Sequence, residues 1–152
     1  MKLYFLRHGK SDWPNWDKPD DERPLTKKGK KEMCHVARLL CKLKITPAML
    51  TSPLPRARQT AEIVADCLCL ELREEKSLGQ GFTAAKLRQI LKSNEVDELM
   101  LVGHEPDFSA VIRSLTGANI KLSKAGVARV DLEQGTQAGC LIWLLPPKLA
   151  KR

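Results

Sequence analysis

The 152-residue sequence has no long hydrophobic run, no paired cysteine spacing and few aromatic residues. Its apolar segments are too short to span a bilayer, and Lys2 is followed by only a short apolar run before Arg7, which does not fit a secretory signal. We therefore expect a cytoplasmic protein that does not associate with membranes. The five cysteines lack a Cys-x-x-Cys pair, which favours reduced thiols that mostly serve packing over a zinc site.

Aromatic residues make up 5% of the chain and are not interleaved with basic ones, so a platform for single-stranded nucleic acid is not expected. The formal net charge of +8 attracts phosphorylated small molecules, acidic proteins or nucleic acid, and by itself it does not choose among them. The lysines within 27–31 are typical of a solvated face. We predict a single globular domain over residues 1–147, followed by a disordered basic tail over 148–152.

Segments that favour strands alternate with segments of helical period, which predicts a three-layer α/β/α sandwich with a mostly parallel, mixed sheet. The segment 98–103 is nearly continuous in apolar residues, as in a strand buried on both faces. The last two strands predict a hairpin joined by residues 133–137. The predicted strands cover residues 2–7, 46–51, 70–74, 98–103, 126–132 and 140–145.

Four helices are predicted from apolar residues at the helical spacing. Thr26 is expected to cap the first helix, and Gly117 to end the fourth. The apolar positions of the four helices are, in order, Met33, Val36, Ala37, Leu40 and Leu43; Ala57, Ala61, Val64, Ala65 and Leu68; Leu87, Ile90 and Leu91; and Phe108, Val111, Ile112 and Leu115.

The first predicted strand runs directly into Arg7-His8-Gly9. Its carboxyl end would deliver a cation and an imidazole to one point. An arginine binds phosphoryl oxygens with a planar fork and a neutral imidazole can attack phosphorus, so the pair suits phosphate chemistry. The alternative is a strand end that carries two exposed polar residues.

Two further polar segments follow predicted strands in the same way. Arg56 lies in the first turn of the second helix, where a cation opposes the helix dipole, so either a bound anion or an ion pair with an acidic loop is expected. His104 follows the fourth strand. Because ligands in open α/β sheets gather at the carboxyl edge, His8, Arg56 and His104 are expected to converge there.

Other residues near these motifs are expected to lie outside the catalytic group itself. Residues 11–25 form an irregular loop that is long enough to be functional and should overhang His8. Arg58 is expected to face solvent, and His35, which lies mid-helix without a motif around it, to be structural or exposed.

Taken together, the motifs resemble the histidine phosphatase superfamily, which has the phosphoglycerate-mutase-like fold. The short length, with no inserted helical cap domain, and the block Arg23-Pro24-Leu25-Thr26 resemble the SixA-type phosphohistidine phosphatases most. The matching segments occur in the family's order: Leu6-Arg7-His8-Gly9-Lys10-Ser11, Arg23-Pro24-Leu25-Thr26-Lys27-Lys28-Gly29, Ser52-Pro53 through Arg56-Ala57-Arg58-Gln59-Thr60-Ala61, and Val102-Gly103-His104.

The resemblance implies a catalytic nucleophile, His8, in a phosphate pocket completed by Arg7, Arg56 and His104. It also implies that no metal or other cofactor is needed, and that Gly9, Ser11 and Arg23 contribute to substrate binding. Elementary electrostatics agrees with this assignment, because two arginines beside His8 lower its proton affinity and keep the imidazole neutral near pH 7.

The proton donor for the leaving group is the open question. Many mutase-like relatives carry a glutamate after the third strand, and residues 77–82 here contain none. Glu105 follows His104 at the place where the acid phosphatase branch has an acidic residue, which implies a catalytic role; capping the next helix is the alternative. A missing acid would favour substrates with a good leaving group, such as a phosphoramidate.

We therefore expect a phosphatase that acts on phosphohistidine proteins through a phosphohistidine intermediate. One alternative is a phosphomonoesterase acting on a sugar phosphate or a nucleotide. Another is a phosphate-binding interaction module without turnover, against which the presence of both His8 and His104 argues. The expected partner is a phosphorylated protein or a small phosphoester rather than a nucleic acid or a membrane, and the expected oligomeric state is a monomer.

Overall fold

The structure is a computed structural model that describes residues 1–133 and 138–151. Strands and helices alternate along the described chain as the sequence predicts. The strands are β1 (Lys2–Arg7), β2 (Ala48–Thr51), β3 (Leu72–Glu74), β4 (Glu98–Gly103), β5 (Val127–Leu132) and β6 (Gly139–Leu145). The helices are α1 (Lys27–Lys42), α2 (Pro55–Leu68), α3 (Ala84–Ser93) and α4 (Asp107–Thr116), with short 3-10 helices at Asp20–Glu22, Lys76–Leu78 and Pro147–Ala150.

The strands form one sheet in the order β3-β2-β4-β1-β5-β6. The first four strands pair in parallel, whereas β5 is antiparallel to both β1 and β6. The predicted three-layer sandwich with a mostly parallel, mixed sheet is confirmed, and no cap domain is inserted within the described ranges. The hairpin prediction is confirmed for its two strands, while residues 134–137 of its connection lie outside the described residues.

Alternate residues of β1 enter two separate cores, because successive side chains of a strand point to opposite faces of the sheet. Tyr4 and Leu6 pack on the face covered by α1 and α2, while Leu3 and Phe5 pack on the face covered by α3 and α4. Since helices cover both faces, the ends of the central strands are where polar side chains can leave the apolar core.

The helix ends follow the expected local chemistry. The Thr26 hydroxyl accepts a hydrogen bond from the backbone N–H of Gly29, which caps α1. Gly117 ends α4 with a φ of 77°, a left-handed conformation that favours glycine. One predicted core position is wrong: Leu43 follows the last residue of α1 and is exposed, so the apolar stripe of α1 ends at Leu40.

Two other expectations are also corrected. Residues Pro147–Ala150 form a 3-10 helix that packs against α1 and buries Ala150, so this part of the predicted tail is ordered; Arg152 lies outside the described residues. The cysteines are free thiols but mostly do not serve packing, because Cys67 is half-buried and Cys34, Cys41, Cys69 and Cys140 are exposed.

None of the helices in the described part of the chain combines the length and the apolar character needed to cross a bilayer.

Candidate active site

The carboxyl ends of three neighbouring parallel strands meet at one edge of the sheet. β4 lies between β1 and β2. Its last residue, Gly103, pairs with Arg7 at the end of β1, and the preceding Val102 pairs with Thr51 at the end of β2. The chain therefore leaves the sheet at His8, Ser52 and His104 within one small region. Ligand sites of open α/β folds lie at this edge of the sheet.

His8 is a buried base whose ring centroid lies 5.3 Å from that of His104. The Nδ1 atom of His8 lies 2.8 Å from the carbonyl oxygen of Gly9. Because a carbonyl can only accept, Nδ1 donates and Nε2 keeps its lone pair in the neutral ring. Burial lowers the pKa of His8 to about 3; the Gly9 hydrogen bond opposes this shift, and the charges of His104 and two arginines add to it. His8 is thus a neutral imidazole at pH 7, with Nε2 free to attack.

His104 is buried beside His8 and is held by Ser52. Its Nε2 atom lies 2.8 Å from the hydroxyl oxygen of Ser52, and that oxygen accepts a hydrogen bond from the backbone N–H of Leu54. Burial lowers the pKa of His104 to about 4, and the charge of Arg56 contributes in the same direction. The other ring nitrogen, Nδ1, is buried and has no hydrogen-bond partner among the described residues. Ser52 was not among the predicted site residues, although its position directly after β2 is the signal that could have identified it.

Two arginines flank the histidines, and each is held through one part of its guanidinium. Arg7 donates from Nη1 to the carbonyl of Leu122 at 3.0 Å. Arg56 is 4% exposed; its Nη1 donates to the carbonyl of Asp20 at 3.0 Å and its Nη2 lies 3.6 Å from the Asp20 carboxylate. The ion pair with an acidic loop, expected as one explanation of Arg56, is therefore present. Burial lowers the pKa of both arginines, but guanidiniums remain charged in proteins.

Unpaired nitrogen atoms concentrate in this pocket. Across residues 1–133 and 138–151, the buried side-chain N and O atoms without a hydrogen-bond partner are Arg7 Nε, Arg23 Nε, Arg56 Nε, His104 Nδ1 and Glu32 Oε1. All but the last are nitrogens. One belongs to His104, two belong to the arginines whose charges act on both His8 and His104, and one belongs to Arg23, which shares Asp20 with Arg56. Buried polar groups are normally paired, so convergent unpaired nitrogens, three of them on cations, indicate a site for an oxyanion such as a phosphoryl group.

The remaining predicted substrate contacts lie around the pocket in supporting positions. The backbone N–H of Gly9 donates to the Thr60 hydroxyl at 3.0 Å, and its carbonyl accepts from His8, so both polar groups of Gly9 are used within the protein. Ser11 is 1% exposed. Arg23 forms an ion pair of 2.9 Å with Asp20 and so shares that carboxylate with Arg56.

Glu105 is turned toward α4. Its carboxylate oxygens accept hydrogen bonds from the backbone N–H of Ser109 at 2.7 Å and from the Ser109 hydroxyl at 2.5 Å. Ser109 in turn accepts from the backbone of Leu122, whose carbonyl holds Arg7. This geometry favours the alternative role of Glu105, which is to cap α4 and support Arg7.

The other predictions near the site agree with the structure. Arg58 is exposed and forms ion pairs with Glu62 and Glu74, and His35 is half-buried on α1 away from His8. The loop 11–25 overhangs the pocket through the Asp20–Glu22 helix. The indole N–H groups of its two tryptophans donate to the backbone carbonyls of Pro19 and Pro24 within the same loop.

Comparison with known protein families shows to which family the chain belongs. Residues 3–80 match the histidine phosphatase superfamily, branch 1, and an uncharacterized protein of Picosynechococcus sp. is 36% identical over 96% of this chain and 100% of its own length. The chain belongs to the histidine phosphatase superfamily. Members of this superfamily are phosphatases, and the resemblance inferred from the four sequence segments is confirmed.

Solved structures of the superfamily superimpose closely on this chain. The protein histidine phosphatase SixA complexed with tungstate has a TM-score of 0.87 at 26% identity, covering 99% of this chain and 100% of SixA. A phosphoserine phosphatase mutant from Entamoeba histolytica has a TM-score of 0.76 at 17% identity, covering 97% of this chain and 98% of its own, which establishes a shared fold. The likeness to SixA supports the SixA-type resemblance.

The histidine phosphatase pocket is built from histidines and arginines. Within the described ranges, no three His, Cys, Asp or Glu side chains are grouped so that they could hold a metal ion. The groups present at the site are the neutral imidazoles of His8 and His104 beside the guanidiniums of Arg7 and Arg56.

Proposed function

We propose that the protein is a metal-independent phosphohistidine phosphatase of SixA type that forms a phosphoenzyme on His8. The burial, distances and charges of the site residues support the roles proposed for them. His8 is the nucleophile, Arg7, Arg56 and His104 bind the phosphoryl oxygens, and Arg23 is an outer contact. Gly9 and Ser11 shape the pocket behind His8.

The first step is attack of His8 Nε2 on phosphorus. The P–N bond to the substrate imidazole breaks, and the leaving imidazole takes the electron pair of that bond. A proton already present on its other nitrogen makes it a neutral leaving group. Charge on the transferring group spreads over its equatorial oxygens, where the N–H donors of Arg7, Arg56 and His104 stabilise it. Neutral His104 is such a donor when its Nε2 accepts from the Ser52 hydroxyl, because the ring proton is then on Nδ1.

The second step regenerates the enzyme. Water attacks the phosphorus of phosphorylated His8, the P–N bond to Nε2 breaks, and inorganic phosphate is released. The hydrogen bond from Nδ1 to the Gly9 carbonyl keeps the ring in one tautomer and one orientation through both steps.

The preference for a phosphoramidate rests on the carboxylates around the pocket. Glu105 accepts from Ser109, and Asp107 accepts from the backbone N–H groups of Gly81 and Phe82. Asp12 is paired with Lys124, which holds the pKa of Asp12 below its usual range, and Asp20 is paired with two arginines. These carboxylates are engaged as acceptors, so none of them is poised to protonate an alkoxide. A substrate that leaves as a neutral imidazole does not need such a donor.

Trapping of the phosphoenzyme tests the proposal. The wild-type protein and the variants His8→Ala and His35→Ala are incubated with radiolabelled phosphoramidate and quenched in base, in which phosphohistidine survives. We expect label on the wild type and on His35→Ala, and none on folded His8→Ala, whose turnover should fall about a hundredfold or more. Label on His8→Ala, or activity lost to a chelator and restored by added metal, would contradict the mechanism.

Rates on a substrate panel test the specificity. A phosphohistidine peptide and phosphoramidate should be hydrolysed with a higher kcat/KM than phosphoserine, a sugar phosphate or a nucleotide. The opposite order would favour a small-molecule phosphomonoesterase.

A further inference from the structure

Two adjoining cavities next to the phosphate pocket have a strongly cationic lining. The first has a volume of about 470 Å³, and its cations are Arg7, Lys10, Lys121, Lys124 and Lys148. The second has a volume of about 320 Å³ and shares Lys10 and Glu32 with the first. Its further cations are Lys28, Lys31 and Lys151. We call the two cavities together the basic groove.

The fold assembles this groove from segments that are far apart in the sequence. The 3-10 helix Pro147–Ala150 packs against α1, so that Lys148 lines the first cavity together with Glu32 of α1. Lys151, which follows this 3-10 helix, lines the second cavity together with Lys28 and Lys31 of α1. Lys10 lies just beyond the end of β1, and Lys121 lies in the segment that leads to β5. Two basic clusters that look like separate solvated surfaces in the sequence therefore form one surface, which reaches the phosphate pocket at Arg7.

Most of the charge in the groove has no ion-pair partner among the described residues. Lys124 forms an ion pair with Asp12, whereas Lys10, Lys121 and Lys148 have no carboxylate within 4.0 Å among residues 1–133 and 138–151. The carboxylate within the groove lining belongs to Glu32, which is 7% exposed at the junction of the two cavities. The groove therefore presents a positive potential to an anionic ligand.

We propose that the basic groove holds an acidic segment of the phosphorylated substrate protein, beside its phosphorylated residue. This inference rests on the proposed function, because Arg7 belongs to both the groove and the phosphate pocket, so a ligand in the groove is continuous with the reacting group. Flexible lysine side chains recognise charge without demanding one geometry, which suits a run of Asp and Glu. The groove lining has no Trp, Tyr or Phe on which bases could stack, which disfavours single-stranded nucleic acid.

A matched pair of peptides tests the proposal. Both have the same length and a central phosphohistidine, and their flanking residues are either acidic or uncharged. The groove variant is Lys121→Gln with Lys148→Gln, and the control variant is Lys76→Gln with Lys92→Gln, which removes two exposed lysines outside the groove. The kcat/KM for each peptide and for phosphoramidate is measured at low and at raised salt.

We expect the wild type to prefer the acidic peptide by about fivefold at low salt, since exposed ion pairs contribute modestly and are screened by salt. The groove variant should lose this preference while keeping its kcat/KM for phosphoramidate, and the control variant should keep both. Equal rates of the wild type on the two peptides, or equal losses in the groove and control variants, would overturn the proposal.

Failure of the proposed function is distinguishable from failure of the groove proposal. If neither peptide is hydrolysed, the proposed function fails, and the groove is judged by binding of the unphosphorylated acidic peptide. The Kd of that peptide must then rise in the groove variant and stay unchanged in the control. Tighter binding of single-stranded DNA than of the acidic peptide would assign the groove to nucleic acid and overturn the proposal.

Discussion

At the scale of single residues, the pocket depends on how each charged group is held. Arg56 is fixed at its Nη atoms by Asp20, whereas its buried Nε has no hydrogen-bond partner in the described part of the chain. Asp20 also binds Arg23, so one carboxylate organises two cations of the site. The same carboxylate competes with a phosphoryl group for the guanidinium of Arg56, because both are anions that seek its N–H donors.

The competition predicts the effect of Asp20→Asn. The backbone carbonyl that holds Arg56 Nη1 is retained, and one negative charge beside the phosphate site is removed. We expect inorganic phosphate to bind about threefold more tightly, a change in keeping with the small worth of a partly exposed ion pair. Isothermal titration calorimetry measures this, with Asp21→Asn on the same helix as the control. Weaker phosphate binding would show instead that the Asp20 carboxylate is needed to position Arg56.

Glu105→Gln separates the two roles considered for Glu105. Loss of the charged hydrogen bonds to Ser109 should lower the free energy of unfolding by about 1–2 kcal/mol. Because Glu105 supports Arg7 through Ser109 and Leu122, kcat/KM should fall equally for phosphoramidate and for phosphoserine. Parallel chemical denaturation and kinetics test this, with exposed Glu95→Gln as the control. A loss confined to phosphoserine would identify Glu105 as the proton donor.

At the scale of elements, the site depends on contacts between β1 and α2. Thr60, fully buried on α2, donates its hydroxyl hydrogen to the Arg56 carbonyl at 2.7 Å and accepts from the backbone N–H of Gly9 at 3.0 Å. This hydroxyl ties the residue that follows His8 to the helix that carries Arg56. Its effect is to fix the position of the His8–Gly9 segment relative to Arg56.

Thr60→Val removes the hydroxyl while keeping the side-chain shape. The N–H of Gly9 is then buried without a partner, which should cost about 1–3 kcal/mol of unfolding free energy, and kcat should fall because His8 is less well positioned. Thr116→Val is a close control, since Thr116 makes the same pair of hydrogen bonds on α4, to the Ile112 carbonyl and from the Ala118 N–H. The control should lose stability alone; equal losses of kcat in both variants would contradict a positioning role for Thr60.

At the scale of the whole molecule, the two buried histidines link stability to pH. Burial lowers the pKa of His8 to about 3 and that of His104 to about 4, whereas both titrate near 6.5 in the unfolded chain. Between these values the unfolded state binds more protons than the native state, so this contribution to stability is full above about pH 6.5 and is lost as the pH falls toward 3.

The prediction is a steeper acid destabilisation of the wild type than of a His8→Asn, His104→Asn variant. Urea denaturation at a series of pH values from 7 to 4 measures the free energy of unfolding of both proteins. The carboxylates contribute equally to both, so their contribution cancels when the two are subtracted. His35→Asn is the control and should follow the wild type. If the double variant shows the same pH dependence as the wild type, the two histidines do not have depressed pKa values in the native protein.

The sequence alone determined the architecture and the family, and it predicted the chemistry of the site. Apolar residues spaced with period 2 predict strands and those spaced with period 3.6 predict helices, because each spacing places the apolar side chains on one face of its element. The order of these elements along the chain specified the layers and the mixed sheet. Four residues were identifiable because each lies at the end of a strand or the start of a helix, where no local structural role explains a polar side chain. They are Arg7, His8, Arg56 and His104. Resemblance to the superfamily then gave these residues candidate roles.

The tertiary structure alone decided which groups meet. Asp20, Ser52 and Thr60 entered the site because the chain folds back across many residues. The position of Ser52 after β2 indicates the sheet edge, but its pairing with His104, like that of Asp20 with Arg56 and of Thr60 with Gly9, depends on the packing of separate elements. The basic groove and the order of the C-terminal segment were hidden for the same reason. Local patterns encode the burial of one element, whereas the distances between charges on different elements exist only once those elements have packed together.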